Sequence, residues 1–313
     1  NVAVGYNAGG DVTTGTLNTL IGGLAGDALT SGNSNVAIGY QALTADTLGD
    51  RNIAIGNGAL ATQNFTTTTD AYNIAIGQEA GYSVTTGTLN TLVGGLSGDA
   101  ITTGTNDTAV GYASLSANQT GVNNTAVGSS ALAAVTADGN TAVGHSAGSG
   151  ISSGQYNTAI GLVAMTGHTY TGNFNTSIGY NANPTAATSA GQFTLGDTNV
   201  SNLRCNDTSI STLSDSRDKT DIIDSPYGLA FINTVRPVQY KWESRDGNVK
   251  DGSTRIGFLA QELLAATDGN NAILDLVLDE NPDRLEAKYN NLLPILVKAI
   301  QELSAEIETL KGE

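Results

Sequence analysis

A five-residue unit, Asn-x-Ala-[Val/Ile]-Gly or a close variant, recurs along the first two-thirds of the chain and constrains its fold more than any other feature. It begins at Asn1, Asn18, Asn35, Asn52, Asn73, Asn90, Asp107, Asn124, Asn140, Asn157 and Asn175, at spacings of 17, 17, 17, 21, 17, 17, 17, 16, 17 and 18. A short fixed period means one structural unit stacked repeatedly on its neighbours, as in a solenoid or roll. The unit is too short, and too rich in Gly and β-branched residues, for a helical hairpin. A longer duplication overlies the period: the run from Val12 to Leu24 recurs from Val84 to Leu96 with Val93 in place of Ile21.

Within one unit, Asn35-Val36-Ala37-Ile38-Gly39 alternates as a strand does, Val36 and Ile38 on one side and Asn35 and Ala37 on the other. Gly39 then permits a tight bend with positive φ. A second short strand is expected over Gln41–Thr44, followed by a polar turn. Asn at one fixed point of every coil predicts a side-chain ladder, because a carboxamide both donates and accepts. The small Ala37 and its equivalents predict another backbone or sheet packed close by. A 17-residue coil has little core of its own, so burial between chains, and hence an oligomer, is expected.

Charge divides the 313-residue chain. Ten acidic and two basic residues lie up to Cys205, against 19 and 11 after it. The net charge of −16 argues against a nucleic-acid partner, which needs clustered Lys and Arg. No apolar run approaches membrane-spanning length, so no membrane insertion is expected. The one cysteine, Cys205, excludes an intrachain disulfide. The two histidines, His145 and His168, have no partners at ligand spacing, so no metal and no cofactor are implied. Asn1 already opens a repeat, which suggests a piece of a longer protein.

The repeat resembles the parallel β-roll heads of trimeric autotransporter adhesins and the repeat arrays of phage and algal-virus fibre proteins. The resemblance covers about residues 1–192 and implies a mostly β, trimeric parallel β-roll or β-solenoid shaft. Residues 193–213 read as a neck. Residues 214–313 read as a separate small α/β domain ending in a coiled-coil helix.

That domain opens with Ser214-Asp215-Ser216-Arg217-Asp218-Lys219. A serine hydroxyl attacks a carbonyl only when a base removes its proton, and a lysine amine can be that base. Five residues let Ser214 and Lys219 meet across a tight turn, and Arg217 lies close enough to lend a positive field. From spacing alone, the alternative is a charged loop. Further on, Pro237–Trp242 reads as a strand, Ile256–Leu263 opens a short helix and Tyr289–Leu303 opens a long one. In this order the segments resemble the endosialidase-type, self-cleaving intramolecular chaperone domain of phage tailspikes and tail fibres. The resemblance implies a homotrimer that guides folding of the preceding β-structure and then frees itself by cutting just before the motif serine. It implies Ser214 as nucleophile, Lys219 as its base, and Asp215 and Arg217 as positioning or electrostatic residues. The cut would fall between Leu213 and Ser214.

In the last helix, Leu293, Leu296, Ile300, Leu303, Ile307 and Leu310 alternate three and four apart, an unbroken a/d seam. Leu or Ile at a with Leu at d leans toward two strands, whereas the resemblance implies three; three is taken, because domain and shaft set the geometry. Gly144-His145-Ser146-Ala147-Gly148 matches a hydrolase nucleophile elbow but is in register with Gly5–Gly9, so it reads as a repeat turn. Tyr6, Tyr40, Tyr82, Tyr112 and Tyr180 recur near the bends and read as turn caps or as a sugar-binding edge. The reading is a segment of a virion tail fibre or appendage for host attachment, assembled in the host cytoplasm, with a host-surface glycan or receptor as partner. Two alternatives stand beside it: a non-proteolytic trimeric surface adhesin, and a fibre with polysaccharide-depolymerase activity.

Overall fold

The computed structural model describes residues 1–200, 203–204, 214–241 and 252–312; Cys205, Leu213 and Trp242 lie outside the described residues. The chain divides into two units, Asn1–Asp197 and Thr198–Glu313.

The first unit is a parallel β-solenoid. Twelve three-residue strands, from Val2–Val4 to Phe193–Leu195, form one sheet in chain order, each pairing in parallel with the next. Equivalent positions stack in register: Ala37 on Ala54, Thr125 on Thr141, Ile160 on Ile178. At about 4.8 Å per strand the sheet spans roughly 50 Å. It runs past the expected end at residue 192 to include Phe193–Leu195.

The asparagine ladder is present and does two jobs. Asn35 Oδ1 accepts from the backbone N–H of Asn52 at 2.9 Å, while Asn35 Nδ2 donates to Gly49 O at 2.8 Å. The same pair of bonds recurs at Asn18, Asn73, Asn90, Asn140, Asn157 and Asn175. Each buried amide thereby satisfies backbone groups of a neighbouring coil.

Two expectations are corrected. Gln41–Thr44 is not a strand: Gln41 and Leu43 have φ of 57° and 53°, in the left-handed region. The far side of each coil turns through such corners, which cost a non-glycine residue roughly 1–2 kcal/mol each. Second, the coil has a core of its own, and Ala37 faces into it. Ala37, Ala54, Leu43 and Leu60 are fully buried and belong to one core that runs along the solenoid within a single chain. Volume is exchanged within several coils, and at Ala75 and Gly81 the leucines of the neighbouring coils, Leu92 and Leu60, fill the space instead. Where the strand centre is Leu20 or Leu92, the corner is Gly26 or Gly98, whose added Cβ would meet that leucine at 2.8 and 2.7 Å. Where the centre is Ala37 or Ala109, the corner is Leu43 or Leu115. At the bend, Gly39 has φ of 136°, and a Cβ there would come 2.4 Å from Gly56 O.

In the second unit, Val238–Lys241 pairs antiparallel with Thr254–Gly257. Ile256 and Gly257 are therefore strand, and the helix expected from Ile256 starts instead at Ala260 and ends at Ala266. A 3-10 turn, Tyr289–Leu292, leads into the 20-residue helix Leu293–Gly312. Pro294 falls in its first turn, where the missing N–H costs nothing. The core gathers Leu263, Leu274, Leu276, Val277, Leu292 and Ile295. No helix among the described residues is long and apolar enough to cross a membrane.

Candidate self-cleavage site

Ser214 and Lys219 flank a 3-10 turn, Ser216–Asp218, that reverses the chain. Asp215 caps it: its Oδ1 accepts from the Arg217 backbone N–H at 2.9 Å and from Arg217 Nε at 3.0 Å, and its Oδ2 accepts from Arg217 Nη2 at 2.6 Å. At the other end the Lys219 N–H donates to Ser216 O at 3.3 Å. The turn brings Lys219 back beside Ser214, and its Nζ donates to Ser214 Oγ at 2.6 Å.

The electrostatics differ from the expectation in one respect. Arg217 is bound in a two-pronged pair with Asp215. The guanidinium holds the Asp215 carboxyl below the usual carboxylate range, and Asp215 in turn pushes Arg217 further up. The paired carboxylate offsets the field that Arg217 was expected to exert on Lys219, so what Arg217 fixes is the shape of the turn. Side chains from Ser214 to Pro226 are all exposed. The Lys219 ammonium here donates to the hydroxyl oxygen. To act as a base it has to lose a proton and then accept from Oγ–H, a change that removal from water favours.

Three polar contacts in this unit were not legible in the sequence. Arg236 Nε donates to Glu262 Oε2 at 2.9 Å. Lys288 Nζ and Asn291 Nδ2 both reach the Asp275 carboxylate, at 2.6 and 3.1 Å. Glu302, on the long helix, accepts from the Leu229 N–H. Their partners are 13 to 73 residues apart, beyond any local pattern.

In the solenoid, Tyr6, Tyr40, Tyr82, Tyr112 and Tyr180 are all exposed. Tyr40 and Tyr112 lean over Gly23 and Gly95 of the preceding coils, and Tyr82 over Gly58. Ser146 occupies a left-handed turn position, φ 54°, like Asn7. Among the described residues no three His, Cys, Asp or Glu side chains are grouped to hold a metal.

Residues 214–272 match the family described as chaperone of endosialidase. The comparison with curated proteins gives no match, and neither does the comparison with solved structures. The match opens on Ser214 itself and covers the motif turn, the short helix Leu229–Ile232 and the Val238–Gly257 strand pair. Together with the β-solenoid it supports a tail-fibre-like protein with a C-terminal chaperone domain.

Proposed function

We propose that this chain is a segment of a phage-type tail fibre whose C-terminal domain trimerises, assists folding of the solenoid and then releases itself by cutting between Leu213 and Ser214. The observation that carries the reading is the 2.6 Å contact between Lys219 Nζ and Ser214 Oγ at the first residue of the family match. In the reaction, neutral Lys219 takes the Oγ proton and Oγ attacks the Leu213 carbonyl carbon. The Leu213–Ser214 C–N bond breaks, its nitrogen leaves with a proton as the Ser214 amine, and Leu213 becomes an ester on Oγ. Water hydrolyses the ester, giving the Leu213 carboxylate and restoring the Ser214 hydroxyl. Asp215 and Arg217 position the turn.

Trimer formation rests on two apolar surfaces left open in the single chain. One is the helix seam with Leu293, Ile300 and Leu310; the other is the outward strand face, where Val4, Ile21, Ile76, Val143, Ile160 and Ile178 stay exposed. A neighbouring chain laid over residues 214–226 would withdraw Lys219 from water and favour its neutral form. The order of events is kinetic: stacked β-structure forms slowly from non-local pairings, a pre-assembled tail raises the local concentration of chains, and the cut removes the route back. As part of a virion appendage assembled in the host cytoplasm, the solenoid would contact a host-surface glycan or receptor.

The test is the intact mass of the denatured recombinant chain, wild type beside Ser214→Ala. Fragments 1–213 and 214–313 from wild type, with the variant whole, are expected. A wild-type chain that stays whole after its oligomer has fully assembled overturns self-cleavage.

A further inference from the structure

The coil between Asn52 and Asn73 departs from the repeat in several ways at once. It is the one with a 21-residue spacing. Its Thr69–Asp70 pairs in parallel with Gly49–Asp50 of the preceding coil, a two-stranded pair outside the main sheet. The corner that leads into this coil carries Arg51, the sole Lys or Arg of residues 1–197. Arg51 holds a left-handed backbone, φ 63°, where other coils place Leu17, Leu89 or Phe174. Its guanidinium pairs with the Asp70 carboxylate and lies 5.5 Å from the centre of the Tyr72 ring.

Beneath this surface the core is polar. The corresponding column of buried side chains is apolar at Leu29, Val84, Ile101, Val135 and Ile151 and polar at Asn118; here two successive coils place polar residues in it, Asp46 and Gln63, both fully buried. Gln63 Nε2 donates to Asp46 Oδ2 at 2.6 Å, and Gln63 Oε1 accepts from Asn73 Nδ2 at 2.8 Å. Asp46 Oδ1 also accepts from the Gly49 N–H at 3.0 Å. The network ties three successive coils together and ends on the ladder residue Asn73. The expanded loop displaces the carbonyl 14 residues on that other ladder amides use, and Asn52 Nδ2 turns back to Asn35 Oδ1 at 3.2 Å instead.

We propose that the Asp46–Asn73 segment is the register key of the solenoid. The repeats on either side are close to interchangeable: Val12–Leu24 and Val84–Leu96 differ at one residue. Apolar contacts and strand hydrogen bonds alone therefore distinguish poorly between the native stacking and one that skips a coil. A buried polar set does distinguish them, because Asp46 Oδ2 and both ends of the Gln63 carboxamide find their partners only when these coils stack directly. Any slip leaves Asp46 Oδ2 and the Gln63 carboxamide buried without these cross-coil hydrogen bonds, Asp46 Oδ1 keeping only its local bond from the Gly49 N–H. Arg51 adds the same discrimination outside, since a slipped coil separates it from Asp70.

The test replaces the key with residues that the chain itself uses at equivalent positions. In one variant Asp46→Val and Gln63→Val copy Val135, which lies three residues after Leu132 as Asp46 does after Leu43. In a second, Arg51→Leu copies Leu17 and Leu89. Amide hydrogen exchange is followed by mass spectrometry on peptides from 36–56 and 74–110, all in the full chain. Wild type is expected to give one isotope envelope per peptide. The Val variant is expected to fold but to show a second, less protected envelope for these peptides, with Arg51→Leu giving a smaller fraction of the same. Single envelopes with wild-type protection in both variants overturn the proposal. So does a Val variant that fails to fold while Arg51→Leu stays single, because the polar set would then serve stability and not register.

Discussion

Glu302 caps a helix that begins 73 residues earlier: its Oε2 accepts from the Leu229 N–H at 2.7 Å. Leu229–Ile232 starts at Gly228 with no side-chain cap of its own. A Cβ on residue 228 would lie 2.4 Å from the Glu302 carboxylate, so glycine there is what lets the carboxylate approach. Glu302→Ala is expected to lower the stability of the C-terminal domain by about 1 kcal/mol, the usual worth of a cap. Glu302→Gln, which keeps an acceptor, is expected to lose less. Urea unfolding followed at Tyr227 and its neighbours checks both; equal loss from Ala and Gln would assign the effect to charge and not to the cap.

Asp107 is expected to make the solenoid sensitive to pH. It stands in the asparagine ladder, where Oδ1 accepts from the Asn124 N–H at 2.8 Å and Oδ2 from Asn118 Nδ2 at 3.0 Å. Burial pushes its carboxyl up to about 7 from an ordinary 3.8, aided by the Asp138 charge and opposed by the Asn124 and Asn118 bonds. Between those values the folded chain holds a proton that the unfolded chain has released. The share of stability that depends on Asp107 is therefore full below about pH 4 and falls as pH rises to about 7, by a few kcal/mol at most. Thermal unfolding of the chain at pH 4.5 and 7.5 should show the higher midpoint at the lower pH, once other carboxylates are allowed for by the difference from Asp107→Asn.

The single substitution at Asp107 is not expected to stabilise. Asn118 Nδ2 already donates to Gly121 O at 2.9 Å, the carbonyl a ladder amide would use, so Asp107→Asn sets two NH2 groups against each other. Adding Asn118→Val frees that carbonyl and recreates the regular coil. The double variant should exceed both singles in stability above pH 7 and lose the pH dependence, which the same melting series measures. Additive singles would show that Asp107 and Asn118 do not act as a unit.

How far the sequence foretells this structure depends on the range of the interaction. The ladder of Asn35 and Asn52 and the bend at Gly39 are local and periodic, so spacing and residue type reveal them. The meeting of Ser214 and Lys219 is likewise local, a turn of six residues. The corners at Gln41 and Leu43 were not legible, because a left-handed leucine goes against its own propensity and persists only when surrounding coils hold it. Nor was the single-chain core: Ala37 reads as a sign of close approach, yet it shares one buried core with corner residues such as Leu43, which is visible only once the corner geometry is known. Glu302, Arg236 and Asp275 find partners through tertiary folding, which no short pattern encodes.

Lys219→Arg separates the two roles that Lys219 can have. In the structure its ammonium donates to Ser214 Oγ, a contact that Arg, also a charged donor, keeps in kind. General-base action needs the deprotonated form, which Arg does not reach in proteins. Lys219→Ala and Lys219→Arg are both expected to leave the chain uncut, read as a single intact mass after oligomer assembly. Cleavage retained in Lys219→Arg would make Lys219 a positioning residue and send the search for a base elsewhere.

The long helix has two unlike faces, and their contrast yields the last expectation. Ile295 and Ala299 are 5% and 4% exposed, packed within their own domain, whereas Leu293, Ile300 and Leu310 stand 65%, 65% and 71% exposed. The open residues belong to the a/d seam, so apolar surface has been kept where the single chain does not bury it. Replacing Ile300 and Leu303 with Asp leaves Ile295 and Ala299 untouched but puts charges where a helical partner would pack. If the seam assembles the chains, the variant should sediment as monomer or accumulate as insoluble chain, and self-cleavage should fail with it. Leu293 and Leu310 alone would not hold an assembly against two buried charges per chain. A soluble, cut and oligomeric Ile300→Asp/Leu303→Asp protein would show that assembly runs through the solenoid's strand face instead.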